Sequence, residues 1–286
     1  MTIDPGFLDE LDRFDSSMKR ETTSQHQGEQ ESPDIGEGLT FSDYRRYAPG
    51  DDTRLIDWKL YARTEEYFIK QYEEERNLTV HVLVDSSSSM DFGAGDEHKF
   101  EYAAKLGLGF CYLTAQENND FRFSVFGDDY ERLDTGRSNS GELLRVIDLL
   151  NEQELGGRTD FRNALESYTT SISSRSLVVV LSDFLGDLDD IEEGLAALAR
   201  NELVTAQVLS PDELDPDVMG DTVFEEPETE QELRTYFGGR LAQQYRSRLD
   251  QFTGEVAERA SDLRATHALV NTGEDFFDSF ASLWVE

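Results

Sequence analysis

Three apolar runs rich in β-branched residues, 78–84, 176–181 and 204–209, alternate along this chain with stretches of helical periodicity, and that alternation leaves few folds open. A strand apolar at nearly every position has no face for water, so helices must cover it on both sides. Strands separated by helices pair in parallel, because the crossover returns the chain to the same end of the sheet. The spacing predicts helices over 98–117, with Phe100, Ala104, Gly107, Leu108 and Cys111 on one face, and over 141–152, 161–172, 188–201 and 276–284. Residues 121–126 alternate as a strand that turns through Gly127-Asp128-Asp129 toward a short hairpin partner at 130–133, and 267–270 is a last short strand. Residues 211–228 read as a long acidic loop, and 229–264 as one long or two broken helices parted at Gly238-Gly239. The expected fold class is α/β, a mostly parallel sheet with helices on both faces.

Outside this regular part the organisation changes. Residues 1–35 are polar and are expected to form a mobile N-terminal arm with at most a short helix near Phe7–Phe14. Residues 36–78 carry aromatics, arginines and a turn signal at 48–52, and are expected to pack on the main domain, 79–286. Arg45, Arg46, Arg54 and Arg63 cluster there with Asp51, Asp52 and Asp57. They form either an internal ion-pair network or a patch for docking a partner, and Trp58 is expected to be packed on both readings.

Charge narrows the function classes. The net charge is −35, from 61 acidic and 26 basic residues, and only five of the basic residues are lysines: Lys19, Lys59, Lys70, Lys99 and Lys105. Acids spread along the whole chain favour adaptation to molar salt over a dedicated surface for a basic partner. Nucleic acid is a poor ligand for such a chain, because phosphate contacts need basic patches. Cys111 is the single cysteine, so no intramolecular disulfide forms. No charged-then-apolar leader and no run of about 18 apolar residues is seen, so no membrane insertion and a cytoplasmic location are expected.

Ligands of parallel sheets bind at the carboxyl ends of the strands. The first apolar strand ends in Asp85-Ser-Ser-Ser-Ser-Met90, where Asp85, Ser87 and Ser89 can aim three oxygens at one point. Thr159 lies in Gly156-Gly-Arg-Thr-Asp160 before a helix, and Asp183 follows the central strand. Thr159 or Asp160 could instead cap that helix, and Asp183 the next turn. Together the five oxygens suit a hard cation, Mg²⁺, with Mn²⁺ as an alternative occupant. There is no phosphate-binding Gly-rich loop with Lys-Ser/Thr, and His26, His81, His98 and His267 show no ligand or triad spacing.

Asp85-x-Ser87-x-Ser89, Thr159 and Asp183 resemble the metal-ion-dependent adhesion site of von Willebrand factor A domains. The segment from Gly36 to Arg63, with Tyr-Arg-Arg-Tyr-Ala-Pro-Gly-Asp-Asp at 44–52 and Asp57-Trp-Lys at 57–59, resembles the signature of the family catalogued as domain of unknown function 58. Tyr44 departs from it, standing where an apolar residue is commoner. The resemblance implies a von Willebrand A-like, Rossmann-like sheet and association with a MoxR-type AAA+ ATPase. The expected function is non-catalytic, Mg²⁺-dependent protein binding, in which a partner's acidic residue completes the metal's ligands. A Mg²⁺-dependent hydrolase at the same edge is the alternative.

Overall fold

The computed structural model of the chain describes residues 2–25, 39–48, 51, 56–64, 66–74, 78–216, 220–226 and 231–285. In chain order the elements are α1 (Phe7–Gln25), β1 (Leu39–Arg46), α2 (Trp58–Thr64), β2 (Phe68–Glu74), β3 (Thr79–Asp85), α3 (Lys99–Gln116), β4 (Asp120–Phe126) and β5 (Tyr130–Arg132). There follow α4 (Ser140–Glu152), α5 (Phe161–Tyr168), β6 (Leu177–Ser182), α6 (Leu188–Leu198), β7 (Glu202–Leu209), α7 (Pro211–Leu214), β8 (Gly220–Glu226), β9 (Gln231–Phe237), α8 (Gly239–Asp262), β10 (Thr266–Asn271) and α9 (Phe276–Val285). The chain divides into two compact units, 22–77 on the one hand and 1–21 with 78–286 on the other.

The larger unit is built on a six-stranded sheet ordered β10-β7-β6-β3-β4-β5, parallel except for the short edge strand β5. This is the α/β architecture that the alternating runs require. Period-two alternation divides β6 between two cores: Val179 and Leu181 face one, Val178 and Val180 the other. The first core takes Val80, Val82 and Val84 of β3 with α3, α4 and α9, and the second packs α5 and α6. Gly107 permits the close approach of α3 to the sheet, since a Cβ there would lie 2.6 Å from Val82 Cγ1. That seating brings the first turn of α3 to the carboxyl edge. No helix among the described residues is long and apolar enough to cross a membrane.

Two expectations give way. Residues 2–14 are anchored and do not form a mobile arm. Ile3, Phe7 and Leu11 are buried in the first core, Phe14 stacks on Phe277, and Asn151 takes the Ile3 N–H at 2.7 Å. Phe7, Leu11 and Phe14 fall at helical spacing on one stripe of α1, Ile3 precedes the helix, and their burial outweighs the polar character of the segment. The stretch read as an acidic loop running into a broken helix holds α7 and the antiparallel hairpin β8–β9, and the helix begins only after Gly238. Short apolar runs fit either period, and only pairing across a hairpin settles such a segment as strand.

His81 lies in the buried run of β3, with Nδ1 2.9 Å from the Tyr168 hydroxyl. Burial first, and the positive charge of Arg122 second, push its pKa down to about 4. Between that value and the ordinary 6.5 the unfolded imidazole takes up a proton that the folded one refuses. Its contribution to stability is therefore whole above pH 6.5 and is lost as the pH falls toward 4. Urea unfolding should show a loss of roughly 3 kcal/mol from this group. His81→Phe should flatten the dependence, and an unchanged pH profile in that variant would assign the acid sensitivity elsewhere.

In the smaller unit β1 pairs antiparallel with β2, and Ile56 and Ile69 are buried. The Asp57 carboxylate caps α2 by accepting the N–H groups of Lys59 and Leu60, at 2.8 and 3.0 Å. Arg45 binds Asp51 through two hydrogen bonds of 2.7 and 2.8 Å, an exposed ion pair and not an internal one. Asp52 and Arg54 lie outside the described residues. Trp58, expected to be packed, is 59% exposed and meets Tyr61 and Tyr67 edge-on.

Candidate metal centre

From β3 the chain moves outward to β4 and β5, then returns to the other side of β3 for β6, β7 and β10. The strand order therefore reverses between β3 and β6, where adjacent loops part and leave a crevice. Asp85 ends β3 and Asp183 follows β6, so the two carboxylates flank that switch point. Asp85, Ser87, Ser89, Thr159 and Asp183 all line one cleft of about 320 Å³, together with Arg158 and an acidic rim.

Each side chain is held by its own element. The Asp85 carboxylate is 1% exposed. Its Oδ1 accepts the Ser87 N–H at 2.9 Å and the Thr159 hydroxyl at 2.7 Å, and its Oδ2 accepts the Ser182 hydroxyl at 2.6 Å. Ser87 and Ser89, on the turn after β3, place their hydroxyl oxygens 3.0 Å apart. The loop carrying Thr159 is tied to this turn by the Ser88 N–H donating to Gly157 O at 3.1 Å and the Gly156 N–H to Ser86 O at 3.1 Å. Gly157 has a φ of +73°, the left-handed region that glycine enters at no steric cost. Capping of α5 falls to Asp160, which accepts the Asn163 N–H at 2.8 Å, and Thr159 is left facing Asp85. Asp183 has the turn role considered for it, Oδ1 accepting the Leu185 N–H at 3.0 Å, and it also lines the cleft. Phe184, buried with a φ of +50°, makes the sharp turn between them.

The electrostatics are unbalanced. Asp85 receives hydrogen bonds only from neutral donors, and its carboxyl pKa stands well above the usual range, first through burial and then through the charge of Asp183. Two buried carboxylates with three hydroxyls form an all-oxygen donor set of the kind a hard cation takes. No three or more His, Cys, Asp or Glu side chains converge among the described residues. The side-chain oxygens that line the cleft are those of carboxylates and hydroxyls, the ligand chemistry of hard cations.

Three partners of this cleft carry no mark in the sequence pattern. The Ser182 hydroxyl bridges Asp85 and the Phe184 N–H. Lys99, the first residue of α3, is wholly buried and donates to Asp183 Oδ2 at 2.7 Å and to Glu213 Oε1 at 2.6 Å. Lysine depletion is the one signal that could have drawn attention to it, because Lys99 is one of only five lysines.

Residues 43–254 match the family described as Protein of unknown function DUF58. An uncharacterized protein of Mycobacterium tuberculosis is 29% identical over 197 residues, 68% of this chain. The matched part is 62% of that relative's length. Among solved structures, BatB from Bacteroides thetaiotaomicron is similar over 73% of this chain and 100% of its own, at 14% identity and a TM-score of 0.40. A von Willebrand factor type A protein from Catenulispora acidiphila is similar over 75% of this chain and 43% of its own, at 11% identity and a TM-score of 0.41.

Proposed function

This chain belongs to the DUF58 family of proteins of unknown function, and from that premise and the geometry of the cleft we propose that it is a non-catalytic, Mg²⁺-dependent protein-binding module. Asp85, Ser87, Ser89, Thr159 and Asp183 would hold the ion, with Mn²⁺ as a substitute. The observation that carries the reading is the wholly buried Asp85 carboxylate beside Asp183 at the strand switch point, surrounded by hydroxyls and given no cation of its own. A divalent ion bound there would stay short of ligands and keep an affinity for an outside carboxylate.

The partner is then a protein that presents an acidic side chain to the cleft. A MoxR-type AAA+ ATPase, acting with this chain in the assembly or maturation of a client, is the partner that the family resemblance suggests. At molar salt, attraction between charged surfaces is screened within about 3 Å, which leaves direct coordination as one of the few strong polar contacts. A pull-down from native lysate at high salt, divided into Mg²⁺ and EDTA arms, tests this. The ATPase should be recovered with Mg²⁺ and lost in EDTA. Ser87→Ala should weaken its recovery while the circular dichroism of the protein is unchanged. Equal recovery in both arms would move the docking surface away from the metal edge.

A further inference from the structure

We infer that Lys99 sets how tightly this cleft holds a divalent cation and how strongly the held cation attracts an outside carboxylate, with Glu213 controlling how much of the ammonium charge Asp183 receives. The inference rests on the proposed function and goes further, because it assigns the balance between metal and carboxylate to two residues outside the ligand set.

The position of Lys99 needs an explanation. Its ammonium is wholly buried at the first residue of α3, where the helix dipole is positive and a cation is disfavoured. Burying an ammonium costs several kcal/mol, and an apolar side chain of the same length would fill the space without that cost. What holds it is the pair of carboxylates, Asp183 at 2.7 Å and Glu213 at 2.6 Å. They outweigh burial and keep the lysine pKa above its ordinary value.

Glu213 is not a chance surface partner. Its Oε2 accepts the Ser210 N–H at 2.9 Å, and the Ser210 hydroxyl accepts the Glu213 N–H at 3.2 Å, a reciprocal cap that fixes α7. The Tyr245 hydroxyl donates to Glu213 O at 2.8 Å and ties α7 to α8. Oε1 is thereby presented to Lys99 by a braced element.

The two cleft carboxylates are therefore unequal. Asp85 faces neutral donors only, whereas Asp183 already shares a cation. Asp85, Asp183 and Glu213 with Lys99 leave two negative charges, which one divalent ion neutralises. An outside carboxylate then meets an ion whose charge balances this inner cluster, beside Arg158 and within the rim formed by Asp128, Asp160, Asp187 and Asp190. Without the ammonium there would be three negative charges. The ion would be held more tightly, and the loaded cluster would stay negative and repel the carboxylate. Lys99 gives up some affinity for the metal and gains affinity for the partner.

Calorimetric titration of the full chain with Mg²⁺ in molar potassium chloride, with and without acetate as the carboxylate probe, tests this. Lys99→Met should tighten Mg²⁺ by roughly tenfold or more and reduce the gain in Mg²⁺ affinity that acetate confers on the unaltered protein. Glu213→Gln keeps an oxygen for Ser210 but leaves Lys99 undivided on Asp183, so it should loosen Mg²⁺ by a similar factor. Opposite signs in two neighbouring variants are not expected from general damage to the fold. Folded variants with unaltered Mg²⁺ affinity would overturn the role of Lys99 and leave the metal site standing. An unaltered protein that takes up no Mg²⁺ would overturn both. Should Lys99→Met not fold, Glu213→Gln decides alone, and unchanged or tighter Mg²⁺ binding there overturns the inference.

Discussion

Replacing Asp85 by asparagine is expected to abolish Mg²⁺ binding and, in the same protein, to raise the stability of the metal-free form. Both effects come from one property: a carboxylate 1% exposed, next to Asp183 and bonded only to neutral donors. The charge that would hold the ion is a burden when no ion is present. Asparagine keeps an oxygen for the Ser87 N–H and the Thr159 hydroxyl, while the acceptor for the Ser182 hydroxyl is lost. Relief of burial and like-charge repulsion should outweigh that loss by on the order of 1–3 kcal/mol. For a domain of this size each kcal/mol moves Tm by about 2–4 °C. Calorimetric titration and thermal unfolding in EDTA measure the two halves separately. Undiminished Mg²⁺ affinity would remove Asp85 from the site, and an unmoved or lower Tm would mean that the buried charge is already compensated.

The larger effect is expected from salt. With 61 acidic and 26 basic residues, 35 carboxylates have no basic residue to pair with even if every base took one acid. At about 1 M salt the screening length is about 3 Å and these charges barely interact, whereas at about 0.01 M it is about 30 Å and spans the domain. Far-UV circular dichroism should show a folded protein in molar potassium chloride and loss of structure at millimolar salt, with part of it restored by Mg²⁺ if the cleft binds the ion. A fold indifferent to salt would return the acidity to a role in binding a partner.

The sheet and the site were open to sequence reading for the same physical reason. A strand buried on both faces must be apolar throughout, so 78–84, 176–181 and 204–209 announce themselves, and the polar residues that interrupt such runs stand at their carboxyl ends. Asp85, Ser87, Ser89 and Asp183 follow from that placement, Thr159 stands apart on the loop before α5, and one cleft contains all five. The apolar residues Ile3, Phe7, Leu11 and Phe14 were equally present in the letters, but only the groove offered by α9 and α4 shows that they have something to pack on.

What only the tertiary structure decided involves partners far apart in the chain. The hairpin β8–β9 exists because two ambiguous segments pair with each other, and neither carries that information alone. Lys99 and Glu213 stand 114 positions apart, and Lys99 and Asp183 stand 84 apart. Local periodicity registers neighbours within a turn or a strand. The buried ammonium on Asp183 depends on α3 lying against β3 at Gly107 and on α7 being capped by Ser210. A charged residue that reads as surface from its own sequence neighbourhood becomes the internal counter-ion of the candidate metal centre once those elements are seated.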